Sequence, residues 1–331
     1  MKFDICLPNA MEGFLAPVDF AGPKEIEIFA READRLGYNA LWGFDFVNPT
    51  PDMGIDDDTE ANWYELMTTL AYLAAITERI RLVCGVVVLP NREPVVLAKQ
   101  IATVDQFSNG RLEVGVGLGM RPEFKTLQPR AKGVYRGELV DEKLEALKLL
   151  LAHNQGAVSY AGKHVAFENV NLNPKPVQNP IPFLTACETP APLKRAVRWG
   201  IDPAIHMGSL QERKAQFEPI LAANGKSLDD FELAVWADLR VDPDQKLAAD
   251  NYLNSVMGKF ATKFRGTDKE TIIRTNWVGT VEHIAEQLID LKHQGIKRIV
   301  VMHTVTDTFE EMLEQSEIFA EEIMPRVQKA T

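Results

Sequence analysis

The chain has 331 residues, 46% of them apolar and 25% charged, an ordinary balance for a globular protein. Lys plus Arg number 36 against 47 Asp plus Glu, and the net charge of −11 argues against nucleic acid or an anionic membrane as the main partner. No uncharged apolar stretch approaches the roughly 18 residues that span a bilayer, and no secretory leader is visible, so a cytoplasmic protein is expected.

In chain order, residues 3–7 form a short apolar run. Residues 23–36 read as an amphipathic helix, with Ile26, Phe29, Ala30, Ala33 and Leu36 on one face and Gly37 as its stop. Residues 40–44 are apolar again, 63–76 helical, and 80–89 a β-branched run closed by Pro90-Asn91. A helix over 94–107 starts on proline, and Asn109-Gly110 turns the chain into the run 112–116. Leucines at helical spacing predict a helix over 138–151.

The second half repeats the alternation. Strands are predicted over 183–186, 204–207, 231–237 and 299–303, with helices over 191–199, 210–224, 245–264, 281–294 and 309–323. The strands are apolar throughout rather than alternating, as in a parallel sheet covered on both faces. About eight strand-then-helix units predict an α/β TIM-type (β/α)8 barrel in one domain, 1–331, with a doubly wound sheet as the alternative closure. Inserted segments are expected near 45–62, 156–180 (a hairpin) and 265–278; the first and last are placed to wall or cover the C-terminal mouth, where barrel enzymes carry their sites.

The stretch Val114-Gly-Val-Gly-Leu-Gly-Met-Arg-Pro-Glu-Phe poses a separate question. A dinucleotide fingerprint needs a helix immediately after its glycines. Pro122 and Pro129 follow instead, and the next helical pattern begins only near Glu138, so that reading is set aside.

Other chemistries have little support. Cys6, Cys84 and Cys187 form no paired motif and read as buried free thiols. The six histidines show no metal-ligand spacing, although His206 and His303 end strands and are candidates to line the mouth. Asp56-Asp57-Asp58 lacks the glycine and glutamate of a calcium loop, and no metal is expected. Neither a phosphate-loop lysine nor a serine-nucleophile elbow occurs.

Several stretches resemble the bacterial luciferase-like flavin-dependent oxidoreductases: Thr77-Glu-Arg-Ile-Arg-Leu-Val-Cys-Gly-Val-Val-Val-Leu-Pro, Pro94-Val-Val-Leu-Ala-Lys-Gln-Ile-Ala-Thr-Val-Asp, and Ser108-Asn-Gly-Arg-Leu-Glu-Val-Gly-Val-Gly. The likeness continues through Gly37-Tyr-Asn-Ala-Leu-Trp, Pro174-Lys-Pro-Val-Gln-Asn-Pro and Val278-Gly-Thr-Val-Glu, in order and over nearly the whole chain. It implies a TIM barrel binding FMN or a deazaflavin at its mouth. The fourth-strand glycines would then be small so that a flavin ring can approach the backbone.

The resemblance implies cofactor contacts at Leu7, Gly85, Val86, Val116, Gly117, Arg136, Glu188, Thr189, Met207 and Gly208, with a cis peptide between Gly85 and Val86 against the ring. On this reading Gly85→Leu blocks flavin binding in a folded barrel. The phosphate is expected at the start of the helix following Thr185-Ala-Cys-Glu-Thr-Pro, on amides and the Thr189 hydroxyl. The alternatives are that Thr189 merely N-caps that helix and that Arg136 pairs with Glu138 or Asp141.

The chain also departs from the family. Gly43-Phe-Asp-Phe-Val-Asn has no histidine after the second strand, leaving Asp45 as the catalytic proton donor expected by position, or else a structural acceptor. Met120 stands where the deazaflavin-dependent sugar dehydrogenases carry glutamate, which favours FMN. The implied activity is a two-component monooxygenase: reduced FMN from a separate flavin reductase, with O2, acting on a small organic substrate. A deazaflavin- or FMN-dependent reductase and a non-catalytic flavin binder are the alternatives. A homodimer is implied through helices 63–76 and 94–107, with Ala71, Ala74, Ala75 and Ala98 as small packing surfaces.

Overall fold

In the computed structural model, which describes residues 1–48, 53–55, 58–131, 133–153 and 156–330, the apolar runs become parallel strands. These are β1 (Lys2–Cys6), β2 (Ala40–Gly43), β3 (Arg81–Val88) and β4 (Leu112–Gly117), then β7 (Phe183–Ala186), β8 (Asp202–His206), β9 (Ala234–Val241) and β11 (Arg298–Thr304). Between the two groups β5 (Val158–Ala161) and β6 (Ala166–Val170) form the inserted antiparallel hairpin, and β10 (Trp277–Gly279) adds to the far end of β9. The ring runs β1-β2-β3-β4-β7-β8-β9-β11 and closes on β1, with Lys2 opposite Arg298 and Ile5 opposite Val301. This is the expected (β/α)8 barrel, not a doubly wound sheet.

The helices are α1 (Pro23–Leu36), α2 (Leu66–Ile76), α3 (Pro94–Phe107), α4 (Arg121–Leu127), α5 (Arg136–Leu151), α6 (Pro190–Trp199), α7 (Leu210–Ala222), α8 (Gln245–Asn254), α9 (Val256–Lys259), α10 (Lys269–Arg274), α11 (Val281–His293), α12 (Phe309–Ile318) and α13 (Met324–Lys329). Helix α1 shows why the predictions succeed: Pro23 opens it, its buried face is Ile26, Phe29, Ala30 and Ala33, and Gly37 ends it at φ 84°. The three cysteines are buried and free. Among the described residues no helix is long and apolar enough to cross a membrane.

Three predicted boundaries change. Helix α4 does begin directly after the glycine stretch, because proline at its second position loses no helical hydrogen bond. The helix expected over 245–264 breaks at Ser255, whose hydroxyl accepts the Gly258 amide at 3.0 Å to start α9, and 260–264 then takes a wider π turn. The stretch 265–278 contains α10, capped by Asp268, and β10. Asp56 and Asp57 lie outside the described residues.

Candidate active site

The C-terminal strand ends and the loops beyond them enclose a cavity of about 500 Å3 at the barrel mouth, a size usual for small-molecule sites. Its walls are Phe44 after β2, Met120 after β4, Glu188 after β7, His206 ending β8, Trp236 and Asp238 on β9, and Met302 and His303 on β11. The segment after β9 roofs it with Tyr252 of α8, Met257 of α9, Phe260 and Arg265. The loop after β1 adds Phe14, whose ring meets Phe260 edge-on at 4.6 Å and also contacts Phe46 and Trp63. Asn9 fastens that loop to β2, bonding the Phe44 amide at 2.8 Å and its carbonyl at 2.9 Å. Glu12, 1% exposed, accepts the Ala21 and Asn62 amides, so the segment before α2 is tied to the loop after β1.

Polar groups cluster on the side of β8, β9 and β11. His303 Nδ1 lies 2.7 Å from Asp238 Oδ1, and the Tyr252 hydroxyl donates to Asp238 Oδ2 at 2.8 Å. Burial alone would raise the Asp238 carboxyl; the charge and hydrogen bond of His303, the Tyr252 bond and the nearby His206 together hold it below the ordinary carboxylate range. Burial lowers His206 against the pull of Asp238 and a hydrogen bond with Asn276, and its Nδ1 accepts the Gly208 amide at 3.2 Å. The Phe44 ring stacks on His303 at 5.3 Å and 19°.

The residues expected from sequence are distributed unevenly. Glu188 lines the cavity, and surrounding protein pushes its carboxyl up against the pull of Arg213 and Arg265. Thr189 is the N-cap of α6, but its side chain makes no capping bond, so the simple capping alternative is not what the structure holds. Arg136 pairs with neither Glu138 nor Asp141; its guanidinium donates to the carbonyls of Leu118 (3.1 Å) and Gly119 (2.8 Å). It lines a second cavity beside α4, with Arg121. Burial and Arg121 both lower it. Met207 and Gly208 follow β8 at the mouth, Gly208 tightly against Thr275. Leu7 and Val116 are 0% exposed, belong to the main hydrophobic core and are absent from the cavity lining.

Asp45 does not line the cavity. It is 4% exposed; Oδ2 accepts the Val88 amide at 2.8 Å and Arg92 Nε at 3.2 Å, and Oδ1 accepts Arg92 Nη2. Arg92 also reaches Glu65 at 2.6 Å. Both carboxylate oxygens are engaged in holding the end of β3 to that of β2.

The peptide between Gly85 and Val86 is cis. Against β4, three steps of β3 from Cys84 to Val87 match two from Val114 to Val116, a one-residue bulge. Gly85 and Val86 are partly exposed in a strand otherwise buried beyond Arg81. The glycine at 85 has a different cause from the one expected, however. A Cβ there would lie 2.7 Å from Trp42 Cε3, inside the barrel. Gly85→Leu is therefore expected to destabilise the fold by about 1–3 kcal/mol or more through overpacking, read by urea unfolding; unchanged stability would mean that the side chain escapes to the mouth.

The β4 glycines are explained similarly. A Cβ on Gly115 or Gly117 would meet Val86 at 2.9 and 2.5 Å, and one on Gly119 would meet Val88 at 2.3 Å. They make room for the bulged neighbouring strand, with the Cys84 carbonyl oxygen at 2.2 Å from a Cβ on Gly115 the tightest contact.

Sequence reasoning missed Asp238, Tyr252 and Trp236. The available signal was an acid directly closing the apolar run Phe231-Glu-Leu-Ala-Val-Trp-Ala, where a carboxylate stands at the C-terminal end of a barrel strand.

A parallel eight-stranded barrel with a part-apolar, part-titratable cavity at its C-terminal mouth is the architecture of a small-molecule enzyme. Residues 1–298 match the family model of luciferase-like monooxygenases, and the chain belongs to that family. It is an oxidoreductase with a flavin or deazaflavin cofactor. The chain is 26% identical to the FMNH2-dependent dimethylsulfone monooxygenase of Pseudomonas putida, over 99% of this chain and 96% of that one. In fold it is similar to the monooxygenase RslO1 of Streptomyces bottropensis (TM-score 0.77, 23% identity, 98% and 99% covered). It is also similar to an F420-dependent secondary alcohol dehydrogenase solved with an F420-acetone adduct (TM-score 0.76, 18% identity, 99% of each chain).

Proposed function

We propose that this chain is the oxygenase of a two-component system, in which reduced FMN from a separate reductase and O2 oxygenate a small, largely apolar organic substrate. The observation that carries the reading is the mouth cavity itself, walled by Phe14, Phe44, Trp236, Phe260 and Met302 and bounded by titratable groups on one side. Its size and apolar walls suit a flat ring with a small substrate beside it. The dimethylsulfone monooxygenase, matched over almost its full length, is named for its dependence on FMNH2. A deazaflavin hydride-transfer enzyme is the second reading, favoured by the F420-dependent fold relative. Against it stand Asp45 and Met120 in place of the histidine and glutamate that the resemblance associates with that chemistry.

Bound reduced FMN supplies the two electrons with which dioxygen is activated. In this chain the bulged end of β3 at Gly85-Val86 would back the ring, and Met120 and Met207-Gly208 would border it. The phosphate is proposed at the first turn of α6, where Pro190 and Pro192 carry no amide, the Ala191 and Leu193 amides remain, and the Thr189 hydroxyl makes no capping bond. Arg136, already fixed by two carbonyls, would add positive charge. Thr189→Ala is then expected to weaken FMN by about 0.5–1.5 kcal/mol, or up to about 3 if the bond is charge-assisted, with riboflavin affinity nearly unchanged. Flavin fluorescence quenching measures both ligands, and equal losses for the two would place the phosphate elsewhere.

A homodimer through α2 and α3 belongs to the same proposal. Ala74 and Ala98 are already buried within one protomer, whereas Tyr72, Val96 and Phe107 are exposed on these two helices and are the better contact candidates. Light scattering that returned the mass of one chain would remove the dimer.

The deciding experiment for the activity mixes the protein, loaded anaerobically with reduced FMN, with oxygenated buffer containing dimethyl sulfone or another small neutral sulfur compound. Incorporation of 18O from labelled dioxygen into product supports the proposal. Reduction of a deazaflavin by an alcohol, with no affinity for FMN, would overturn it in favour of the second reading.

A further inference from the structure

Resting on the flavin reading, we infer that His303, oriented by Asp238, is the acid–base residue of the cavity. The geometry is that of a carboxylate-steered imidazole. His303 is the penultimate residue of β11 and Asp238 stands on the adjacent β9, where three steps from Val301 to Thr304 match two from Ala237 to Leu239, so their 2.7 Å contact is made between two paired strands at a bulge. Asp238 is steadied on its other oxygen by Tyr252, and Phe44 covers one face of the imidazole. With Nδ1 directed at the carboxylate, Nε2 is the nitrogen left for the cavity, and no described residue bonds it.

Asp45, His206, Tyr252 and Cys6 are each committed elsewhere. Asp45 is sealed behind its ion pair with Arg92. His206 uses Nδ1 to accept the Gly208 amide, and burial lowers it. Burial and the Asp238 charge push the Tyr252 phenol up, so it donates a hydrogen bond but not a proton. Burial likewise raises Cys6, whose thiol points at Met302 beneath the cavity. The charged and titratable groups around the imidazole are thus Asp238, Tyr252, His206 and Cys6, with Glu188 and Arg265 farther along the cavity wall.

Inserting one oxygen of O2 into a substrate consumes two electrons and two protons and releases the other oxygen as water. A bound reduced flavin would supply the electrons and one hydrogen. Protonated His303 gives the second proton from Nε2 to the departing oxygen, is left as the neutral Nδ1–H form bonded to Asp238, and is reprotonated by solvent entering the mouth. Asp238 acts through His303 and is a positioning residue.

Two measurements test this. In the flavin-free protein, long-range 1H–15N spectra of His303 should show the Nδ1–H tautomer, lost in Asp238→Asn; an Nε2–H tautomer in the parent would overturn the assignment. With reduced FMN and O2 alone, hydrogen peroxide release should slow by roughly 10²-fold or more in His303→Ala, lose its pH dependence, and recover partly on addition of imidazole, with FMN affinity unchanged. A parent-like rate and pH profile in FMN-loaded His303→Ala would also overturn it. Failure of the parent to bind FMN would instead count against the flavin reading, and the tautomer measurement would still decide the pair.

Discussion

Replacing Arg298 by methionine is expected to lower the unfolding free energy by about 3–5 kcal/mol, the scale for breaking a buried ion pair from one side. Arg298 is 4% exposed and faces two buried carboxylates at the end of the barrel opposite the mouth: Asp4 (0%) through Nε and Glu113 (7%) through Nη1 at 2.6 Å. Trp42 and Asn39 satisfy the remaining valences of Asp4 at 2.7 and 2.8 Å, and Arg81 shares Glu113. Methionine keeps most of the volume but leaves two buried carboxylates with one half-committed cation. The pH dependence follows from opposite shifts. Burial pushes Asp4 above its ordinary range despite Arg298, so its favourable contribution belongs to acid pH and fades as pH rises through the raised value. Burial would raise Glu113 as well, but Arg298 and Arg81 hold it below its ordinary range, so its contribution is present above that range and is lost in acid. Without Arg298 both carboxyls are easier to protonate than to keep charged, and the gap between parent and variant should narrow as pH falls through the carboxylate range. Urea unfolding at neutral and acid pH checks both statements. A neutral-pH loss below about 1 kcal/mol, the level of a surface pair, would mean that water reaches the network. Flavin affinity per folded molecule should not change, because the network lies at the far end of the barrel.

The barrel was legible because eight buried parallel strands leave eight apolar runs, and glycine or proline punctuates most of them. What escaped has local causes. Helix α4 was hidden by Pro122, which reads as a breaker but is tolerated in a first turn. The break at Ser255 depends on a hydroxyl bond that leaves the apolar spacing on either side intact. At the site, alternating glycines on β4 suggested a ligand against bare backbone, and no sequence pattern shows that a side chain there would also meet Cys84, Val86 or Val88 of the neighbouring strand. Asp238 escaped because its significance lies in two residues distant in sequence, Tyr252 and His303, and a single sequence carries no trace of that meeting. Position alone promoted Asp45, which register turns away from the cavity and onto Arg92.

That contrast yields the last expected result: Asp45→Asn should reduce stability by on the order of 2–3 kcal/mol while leaving the chemistry of each folded molecule nearly intact. Asparagine retains one oxygen for the Val88 amide at the position of the 2.8 Å bond, but presents either a neutral oxygen or an NH2 group to Arg92. Arg92 is 12% exposed on its side chain and keeps Glu65 as a partner, so the loss falls short of the about 3–5 kcal/mol expected for an orphaned buried charge. Glu65 is itself held below its ordinary range, burial being outweighed by bonds from Thr68 and Arg92, and it stays ionised in the variant at neutral pH. If Asp45 moved protons to the substrate, the same substitution would slow turnover by roughly 10²-fold or more with stability little changed. Urea unfolding and single-turnover oxygen consumption on one preparation separate the two roles. A stable variant with collapsed turnover would restore Asp45 as the proton donor and remove it as a clamp. A destabilised variant whose folded fraction turns over normally would leave β2 and β3 tied at the mouth by Asp45 and Arg92, with proton transfer carried by another residue.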